Sequence, residues 1–157
     1  MADHTQSFDK RKRDQTSEKY FEFYCEWNKI LYARYGLDQR NSGIPGGSFI
    51  TIDKMIRNTP DYIMISKNTY FVEVKGCKSE LGMKLSDIKS YKKWNKIMPV
   101  LYFFYSATFN QHKFIKHENF LNIAGVCETK RYPDNNEEYY CVPWEMIKWS
   151  VKYVKRR

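Results

Sequence analysis

The chain has 157 residues, of which 42% are hydrophobic and 17% are aromatic. These values predict a globular protein with its own core, exclude a disordered chain, and fit one domain rather than two. The excess of 27 basic over 18 acidic residues gives a net charge of +9, which favours a polyanionic partner such as nucleic acid or an anionic membrane surface. No apolar run approaches the ~20 residues of a spanning helix. The N-terminus lacks an apolar signal core, so we expect a cytoplasmic protein without a membrane segment.

Residues 1–15 are polar and carry a basic run: Lys10, Arg11, Lys12 and Arg13. Their composition predicts a mobile basic arm. Such an arm is either a solubilising tail or a contact for phosphate groups. The remaining residues, 16–157, form the single predicted domain.

A broad stripe of aromatic and aliphatic residues predicts a helix that begins at Thr16 or Ser17 and ends at Gly36. The glycine- and proline-rich residues 41–47 then predict a loop, which either connects helix to sheet or admits a substrate. Residues 49–56 predict a first strand.

Two carboxylates lie one helical turn apart at the edge of the buried face of this helix, Glu22 and Glu26. Glu26 either forms an ordinary ion pair with Lys29 or leans over the charged residues of the next strands. Helix geometry alone leaves both readings open.

Two short apolar runs, residues 62–65 and 70–76, flank a polar turn and predict a β-hairpin. A basic, irregular connector follows over residues 77–84, and then a helix with a lysine-rich outer face. The continuous apolar run at residues 100–105 predicts a strand covered on both faces. A strand, a helix and a buried strand in this order form a crossover unit, so we expect the last strand to lie parallel to one arm of the hairpin.

Beyond residue 107 the patterns are weaker. Residues 112–117 and 119–124 predict a strand and a short helix, residues 139–142 an edge strand, and Pro143 the first position of a short helix. The predicted helices and strands together indicate an α/β (α+β) fold, with helices flanking a central mixed sheet.

Three charged residues lie within or beside the predicted hairpin. Glu73 and Lys75 are two positions apart on one strand and therefore share a face. If residue 67 is the centre of the turn, Asp61 lies opposite Glu73 on the other strand. Isolated charges this close together are costly to desolvate, and a divalent metal would explain them.

Mg²⁺ typically takes one or two carboxylates, with water and substrate phosphate completing its shell. Asp61 and Glu73 supply carboxylates, and the carbonyl of Val74 is a further candidate ligand. Lys75 would lie beside the attacking water or the phosphate, where its charge stabilises the transition state. We expect Mn²⁺ to substitute for Mg²⁺. The structural alternative is a simple ion pair on the sheet surface, which leaves the third charge unexplained.

A basic surface would bind the polyanion that such a site cuts. We expect the basic N-terminal run at residues 10–13 to contact DNA. We expect the same of four lysines that follow the charged hairpin: Lys78, Lys89, Lys92 and Lys93. A lysine-rich helix face is either simply solvated or follows a phosphate backbone.

The spacing of Pro60-Asp61 and Glu73-Val74-Lys75 resembles the signature of the PD-(D/E)XK nuclease superfamily. The order of predicted elements over residues 17–105 is similar to the α-β-β-β-α-β core of that superfamily. The resemblance implies a restriction-endonuclease-like fold and metal-dependent hydrolysis of DNA.

Within the superfamily, residues 59–62, 71–76 and 142–147 most resemble the phage endonuclease I type of Holliday-junction resolvase. That resemblance favours Glu26 over Glu22 as the helix carboxylate of the site. It also implies a homodimer with exchanged segments, in which each site takes its helix glutamate from the partner chain. The glycine-rich residues 41–47 are a candidate bridge for such an exchange.

The sequence therefore predicts a Mg²⁺-dependent endonuclease, acting on branched DNA in recombination or repair, with Glu26, Asp61, Glu73 and Lys75 as its catalytic residues. Two alternatives stay open. One keeps the site but changes the substrate, as in a restriction, mismatch-repair or single-strand nuclease. The other is a basic nucleic-acid-binding protein that has a nuclease-like core without activity.

Overall fold

The computed structural model describes residues 4–37 and 43–147, and the side chains from residue 16 onward. A 3-10 turn at Trp144–Met146 follows the last strand. The helices and strands, in chain order, are α1 (His4–Trp27), β1 (Leu31–Arg34), α2 (Gly46–Phe49), α3 (Lys54–Arg57), β2 (Tyr62–Ile65), β3 (Thr69–Cys77), β4 (Glu80–Lys84), α4 (Leu85–Trp94), β5 (Val100–Ser106), β6 (Gln111–Lys116), α5 (His117–Ala124), β7 (Thr129–Arg131) and β8 (Glu138–Pro143).

The core is a five-stranded mixed sheet with the strand order β1-β2-β3-β5-β6. Strands β3 and β5 run parallel and the other neighbours run antiparallel. A second, three-stranded antiparallel sheet has the order β4-β8-β7. The predicted hairpin, the crossover helix and the parallel buried strand are all confirmed.

One face of the five-stranded sheet is covered by α1. Val72 and Val74 of β3 point to this face, where they join a buried cluster with Phe21 and Cys25 of α1. The alternation of side chains along β3 therefore sends its odd-numbered residues to the opposite face.

The opposite face packs against α4, α5 and the three-stranded sheet. Phe71 and Cys77 of β3 belong to this second buried cluster, together with Met83 of β4, Tyr91 of α4 and Phe120 of α5. Glu73 and Lys75 lie between Phe71 and Cys77 on the same side of β3. The two charged residues thus face the layer that α4 and the second sheet build.

Helix α1 begins at His4, earlier than the predicted start at Thr16 or Ser17. The basic run at residues 10–13 is thus part of the helix backbone, because no helix-breaking residue separates it from the apolar stripe. The side chains of that run lie outside the described ones, and the mobility of residues 1–15 stays a prediction.

Helix α1 ends at Trp27, so the predicted end at Gly36 is wrong. Lys29 adopts a left-handed conformation with φ 53°. The amide of Ile30 donates to the carbonyl of Cys25 at 2.8 Å, which is the 6→1 bond of a Schellman motif. Of the apolar residues after this stop, Leu31 and Tyr32 belong to β1.

The strand predicted over residues 49–56 is also wrong, since this segment contains the end of α2, a turn and most of α3. Asp53 caps α3 by accepting a hydrogen bond from the amide of Met55 at 2.8 Å. The first strand of the sheet is β1 instead. The bridge predicted for residues 41–47 falls partly outside the described residues.

Two further predictions fail in the second sheet. Residues 80–84 of the predicted irregular connector form β4, and β8 lies at the centre of its sheet rather than at an edge. Both errors arise from pairing between segments far apart in the chain, which local patterns do not reveal. No helix in the described part of the chain is long and apolar enough to cross a membrane.

Candidate active site

The turn between β2 and β3 places Asp61 opposite Glu73. The register pairs Tyr62 with Val72, so the next positions along the hairpin are Asp61 and Glu73. Asp61 Oδ2 accepts a hydrogen bond from the amide of Val74 at 2.8 Å. This bond fixes the Asp61 side chain against β3, at the point that the sequence predicted.

Glu73 and Lys75 share a face of β3, as expected from their spacing. Lys75 Nζ lies 2.9 Å from Glu73 Oε1. The Glu73 side chain is only 3% exposed, whereas that of Lys75 is 21% exposed. The carboxylate is therefore buried inside the protein, whereas the Lys75 side chain is partly exposed to solvent.

Burial is the main electrostatic influence on both carboxyl groups. It raises the pKa of Asp61 well above its usual value, and the charge of Glu73 adds to that shift. Burial also raises the pKa of Glu73, while Lys75 and the hydroxyl of Tyr91 oppose the change. Two carboxyl groups whose charged forms are disfavoured would be stabilised by a cation between them.

Glu73 Oε2 is buried and has no hydrogen-bond partner among the described residues. A buried carboxylate oxygen without a partner is costly and suits a metal ligand. No group of three or more His, Cys, Asp or Glu side chains in the described part of the chain could hold a metal. Asp61 and Glu73 fit Mg²⁺ as its two carboxylate ligands. A backbone oxygen, water and substrate would supply the remaining ligands, as is common for this ion.

The backbone of Asp61 is held by the segment that follows β1. Its carbonyl accepts hydrogen bonds from the amides of Tyr35 at 2.8 Å and Gly36 at 3.0 Å. A Cβ at Gly36 would lie 3.0 Å from Asp61 Cα and 3.2 Å from the carbonyl oxygen of Pro60. Gly36 thus permits a close contact between the two chain segments and supports the position of Asp61.

At the Asp61 end of the hairpin, α1 contributes two carboxylates. Arg34 of β1, which pairs with Tyr62, binds Glu18 at 2.6 Å and Glu22 at 3.2 Å. The hydroxyl of Tyr62 donates to Glu22 at 2.6 Å. The charge of Glu18 contributes to the raised pKa of Asp61.

Glu26 lies one turn further along α1, away from this end. It is exposed and accepts a hydrogen bond from the hydroxyl of Tyr32 at 2.9 Å. Tyr32 pairs with Met64, two positions along β2 from Tyr62. Within one chain, the structure therefore brings Asp61, Glu73 and Lys75 together and leaves Glu26 apart from them.

Helix α4 adds two residues that the sequence reasoning did not single out as site residues. Asp87 accepts a hydrogen bond from Asn58 Nδ2 at 3.2 Å, and its charge raises the pKa of Glu73. Tyr91, one turn later, is buried and its hydroxyl lowers the pKa of Glu73. The one-turn spacing of the two residues on a helix that follows the charged strand was the available signal.

The basic residues predicted to bind DNA lie on the outside where they are described. Lys78 and the α4 lysines are all exposed: Lys89, Lys92 and Lys93. The side chains of Lys10, Arg11, Lys12 and Arg13 are outside the described ones. The exposed lysines form a basic surface on α4 and after β3.

No protein-family model and no curated protein matches the sequence of this chain. Among solved structures, the chain resembles Hjc, a Holliday junction resolvase from the archaeal hyperthermophile Archaeoglobus fulgidus. The TM-score is 0.53 at 9% identity, over 84% of this chain and 89% of that one. It also resembles D212, a nuclease from a fusselovirus, with a TM-score of 0.47 at 11% identity, over 89% of this chain and 84% of that one. The first likeness shows the fold, and the predicted restriction-endonuclease-like architecture is confirmed.

Proposed function

We propose that this chain, which has a restriction-endonuclease-like fold, is a metal-dependent endonuclease that hydrolyses phosphodiesters in branched DNA, such as a Holliday junction. The main support is one observation. Glu73 is buried opposite Asp61 and beside Lys75, and one of its carboxylate oxygens has no described partner. The likeness of the fold to a junction resolvase favours a branched substrate over other DNA.

In this proposal, Asp61 and Glu73 hold Mg²⁺ or Mn²⁺, and the carbonyl of Val74 is a further candidate ligand. A bound ion of this kind polarises a phosphodiester and lowers the pKa of a coordinated water. Asp61 is oriented for this role by the amide of Val74. The ligands are thus held in place before metal or DNA arrives.

Lys75 has a separate role in this proposal. Its ammonium group is paired with Glu73 and its side chain is partly exposed, so Lys75 would contact a phosphate bound at the surface. There it would stabilise the charge that develops on the phosphate oxygens, or orient the attacking water. Lysine suits this position because it carries a compact charge on a flexible stem.

The helix carboxylate of the site differs between a monomer and an exchanged dimer. Among the described carboxylates of α1, Glu18 is one whose charge contributes to the raised pKa of Asp61. Glu26 lies further from it and would serve only a site in which the partner chain supplies the helix. We therefore propose Glu18 as the supporting carboxylate in the same chain, and Glu26 as the candidate for exchange.

A homodimer is part of the proposal, as expected from the resemblance. Four large apolar side chains at the hairpin end of α1 and β1 are exposed: Phe23 by 60%, Trp27 by 76%, Leu31 by 70% and Ile65 by 47%. Leu31 and Ile65 are cross-strand neighbours, and the rings of Phe23 and Trp27 stack at 6.0 Å. Two pairs of exposed apolar side chains of this size offer a surface that a second copy would cover.

The DNA would lie on the exposed lysines of α4 and on Lys78. The net charge of +9 would strengthen binding at low salt and weaken it steeply as salt is added. Lysines that face solvent on one helix supply contacts with the phosphate backbone and carry no base specificity. The choice of substrate would then depend on DNA shape.

The test is a cleavage assay on equimolar four-way junction, duplex and single-stranded DNA in Mg²⁺, Mn²⁺ and EDTA. The proposal expects cleavage of the junction in either metal and none in EDTA. Faster cleavage of duplex or single-stranded DNA than of the junction would show that the substrate is not branched DNA. Binding without any cleavage in either metal would contradict the proposed activity and leave a non-catalytic DNA-binding protein.

A further inference from the structure

The turn between β5 and β6, residues 107–110, carries an exposed aromatic ring. Phe109 is 46% exposed, and its ring stacks on that of Trp144 with centroids 6.4 Å apart and planes at 12°. Trp144 is only 3% exposed and belongs to the buried cluster beneath. One side of the Phe109 ring therefore lies against the core, and the other side forms a flat apolar surface that faces solvent.

The indole beneath this ring is held by its ring and by its backbone. Lys113 Nζ lies 4.4 Å from the centre of the Trp144 ring and donates a hydrogen bond to the carbonyl of Trp144 at 2.8 Å. The amide of Trp144 donates to the carbonyl of Ser79 at 3.0 Å. The exposed ring thus rests on a fixed support.

The turn is also bonded to the end of β3. The amide of Ala107 donates to the carbonyl of Cys77 at 2.9 Å. Asn110 has a left-handed backbone with φ 48°, and its Oδ1 accepts a hydrogen bond from the hydroxyl of Tyr105 at 2.8 Å. A ring on a turn that is held in this way loses little conformational freedom when it binds a partner.

The aromatic stack lies on the face of the sheet that carries the charged cluster. The register aligns Lys75, Phe104 and Lys113 in one row across three neighbouring strands. Phe104 and Ile115 belong to the buried cluster on the Glu73 side of the sheet. Lys113, two positions from Ile115, therefore points to that side as well. Since neighbouring strands lie about 4.8 Å apart, the backbones at Lys75 and Lys113 are separated by roughly 10 Å.

A single exposed phenylalanine is ordinary on a protein surface. Two observations set Phe109 apart: its ring lies parallel to a buried indole, and an exposed lysine follows β3 beside the turn. That lysine is Lys78, whose carbonyl accepts a hydrogen bond from the hydroxyl of Ser106. A flat ring next to a cation suits a nucleotide, because the base can stack on the ring while the phosphate pairs with the lysine.

We propose that the exposed side of the Phe109 ring stacks on an unstacked base of the DNA substrate, next to Lys78. The bases of a continuous duplex are covered by their neighbours, whereas a base at a branch point can present a free face. The contact would therefore favour branched DNA. This inference rests on the proposed function, because it names the feature of that DNA which the site recognises.

The first test compares Phe109→Leu with Phe109→Trp. Dissociation constants are measured by fluorescence anisotropy in EDTA for a four-way junction and for a duplex of equal length. Phe109→Leu keeps an apolar side chain without the ring, so Kd for the junction should rise about tenfold, the scale of one lost base–aromatic stack. Kd for the duplex should stay within about twofold. Phe109→Trp keeps a stacking face and should bind the junction at least as tightly as the wild type.

Val126→Ala is the matched control, because it shortens an apolar side chain that is 75% exposed after α5. It should leave both dissociation constants within about twofold of the wild type. The salt dependence of binding should be the same in all these variants, because none of them changes a charge.

A second test changes the DNA instead of the protein. Each base at the branch point is replaced in turn by an abasic residue. At one position the replacement should weaken binding of the wild type about tenfold. Phe109→Leu should add no further loss at that position, since the two changes remove the same contact.

The outcomes separate this inference from the proposed function. Wild-type affinity for the junction in Phe109→Leu would overturn the inference, as would an equal loss for junction and duplex. Wild-type binding that is the same for every abasic junction would also overturn it, without any protein variant. A dimer that dissociates only in Phe109→Leu, measured by size-exclusion chromatography, would assign the ring to a contact between copies instead. Absence of cleavage by the wild type contradicts the nuclease proposal, while the binding measurements in EDTA still decide whether Phe109 stacks on a base.

Discussion

The amide of Gly36 donates a hydrogen bond to the carbonyl of Asp61 at 3.0 Å, and the two backbones touch because Gly36 has no side chain. A Cβ at this position would lie 3.0 Å from Asp61 Cα. The neighbour is backbone rather than a flexible side chain, so it cannot yield without moving Asp61. A residue without a side chain thus fixes the backbone of a proposed metal ligand.

Gly36→Ala should therefore lower the free energy of unfolding by roughly 1–3 kcal/mol, as overpacking typically does. It should also reduce metal-dependent cleavage about tenfold or more, because small displacements of a catalytic group are costly. Urea denaturation and the junction assay measure the two effects. Gly47→Ala is the matched control, since a Cβ there meets nothing within 4 Å. Equal stability and equal cleavage rates in Gly36→Ala and Gly47→Ala would show that the close contact with Asp61 is unimportant.

Lys75 and Glu73 form a pair whose carboxylate is almost fully buried. Lys75→Met leaves that carboxylate without its cation, so we expect a loss of about 1–3 kcal/mol in the free energy of unfolding. Cleavage should fall at least about a hundredfold, the scale of losing a charged group at a developing oxyanion. Adding Glu73→Gln to Lys75→Met should recover part of the stability and none of the activity. Full stability of the single variant would argue against the ion pair.

The two helix carboxylates can be separated by paired substitutions. Glu18→Gln should reduce cleavage about tenfold, because the charge of Glu18 contributes to the raised pKa of Asp61. Glu26→Gln should stay within about twofold of the wild type, since Glu26 is exposed and bound to Tyr32. Initial rates on the four-way junction measure both. The reverse order, with Glu26→Gln the inactive variant, would point to a dimer in which the partner supplies the helix.

The hairpin and its charges were predictable because they depend on short-range rules. The alternation of side chains places Glu73 and Lys75 on one face, and the short polar turn sets the register that brings Asp61 opposite Glu73. The buried apolar run of β5 and the crossover helix before it also follow from local patterns. The predicted geometry of the cluster is therefore confirmed, whereas the roles of its residues stay proposals.

The features that sequence reasoning missed depend on contacts between distant segments. The apolar stripe of α1 continues into β1, so only the left-handed Lys29 shows where the helix stops. Gly36 was predicted to be a helix C-cap, because nothing local reveals its contact with Asp61. The second sheet pairs β4 with β8, which are far apart in the chain. The charges of Asp87 and Glu18 influence the site only once α4 and α1 are packed against the sheet.

Metal-dependent junction cleavage by Asp61→Ala and Glu73→Ala, with binding of the same junction measured in EDTA, tests whether these two carboxylates hold the metal. We expect each variant to lose cleavage by at least about a hundredfold, because each removes a proposed metal ligand. Affinity for the junction should stay within about threefold of the wild type, since the basic surface is untouched. Undiminished cutting by either variant would contradict the assignment of the site.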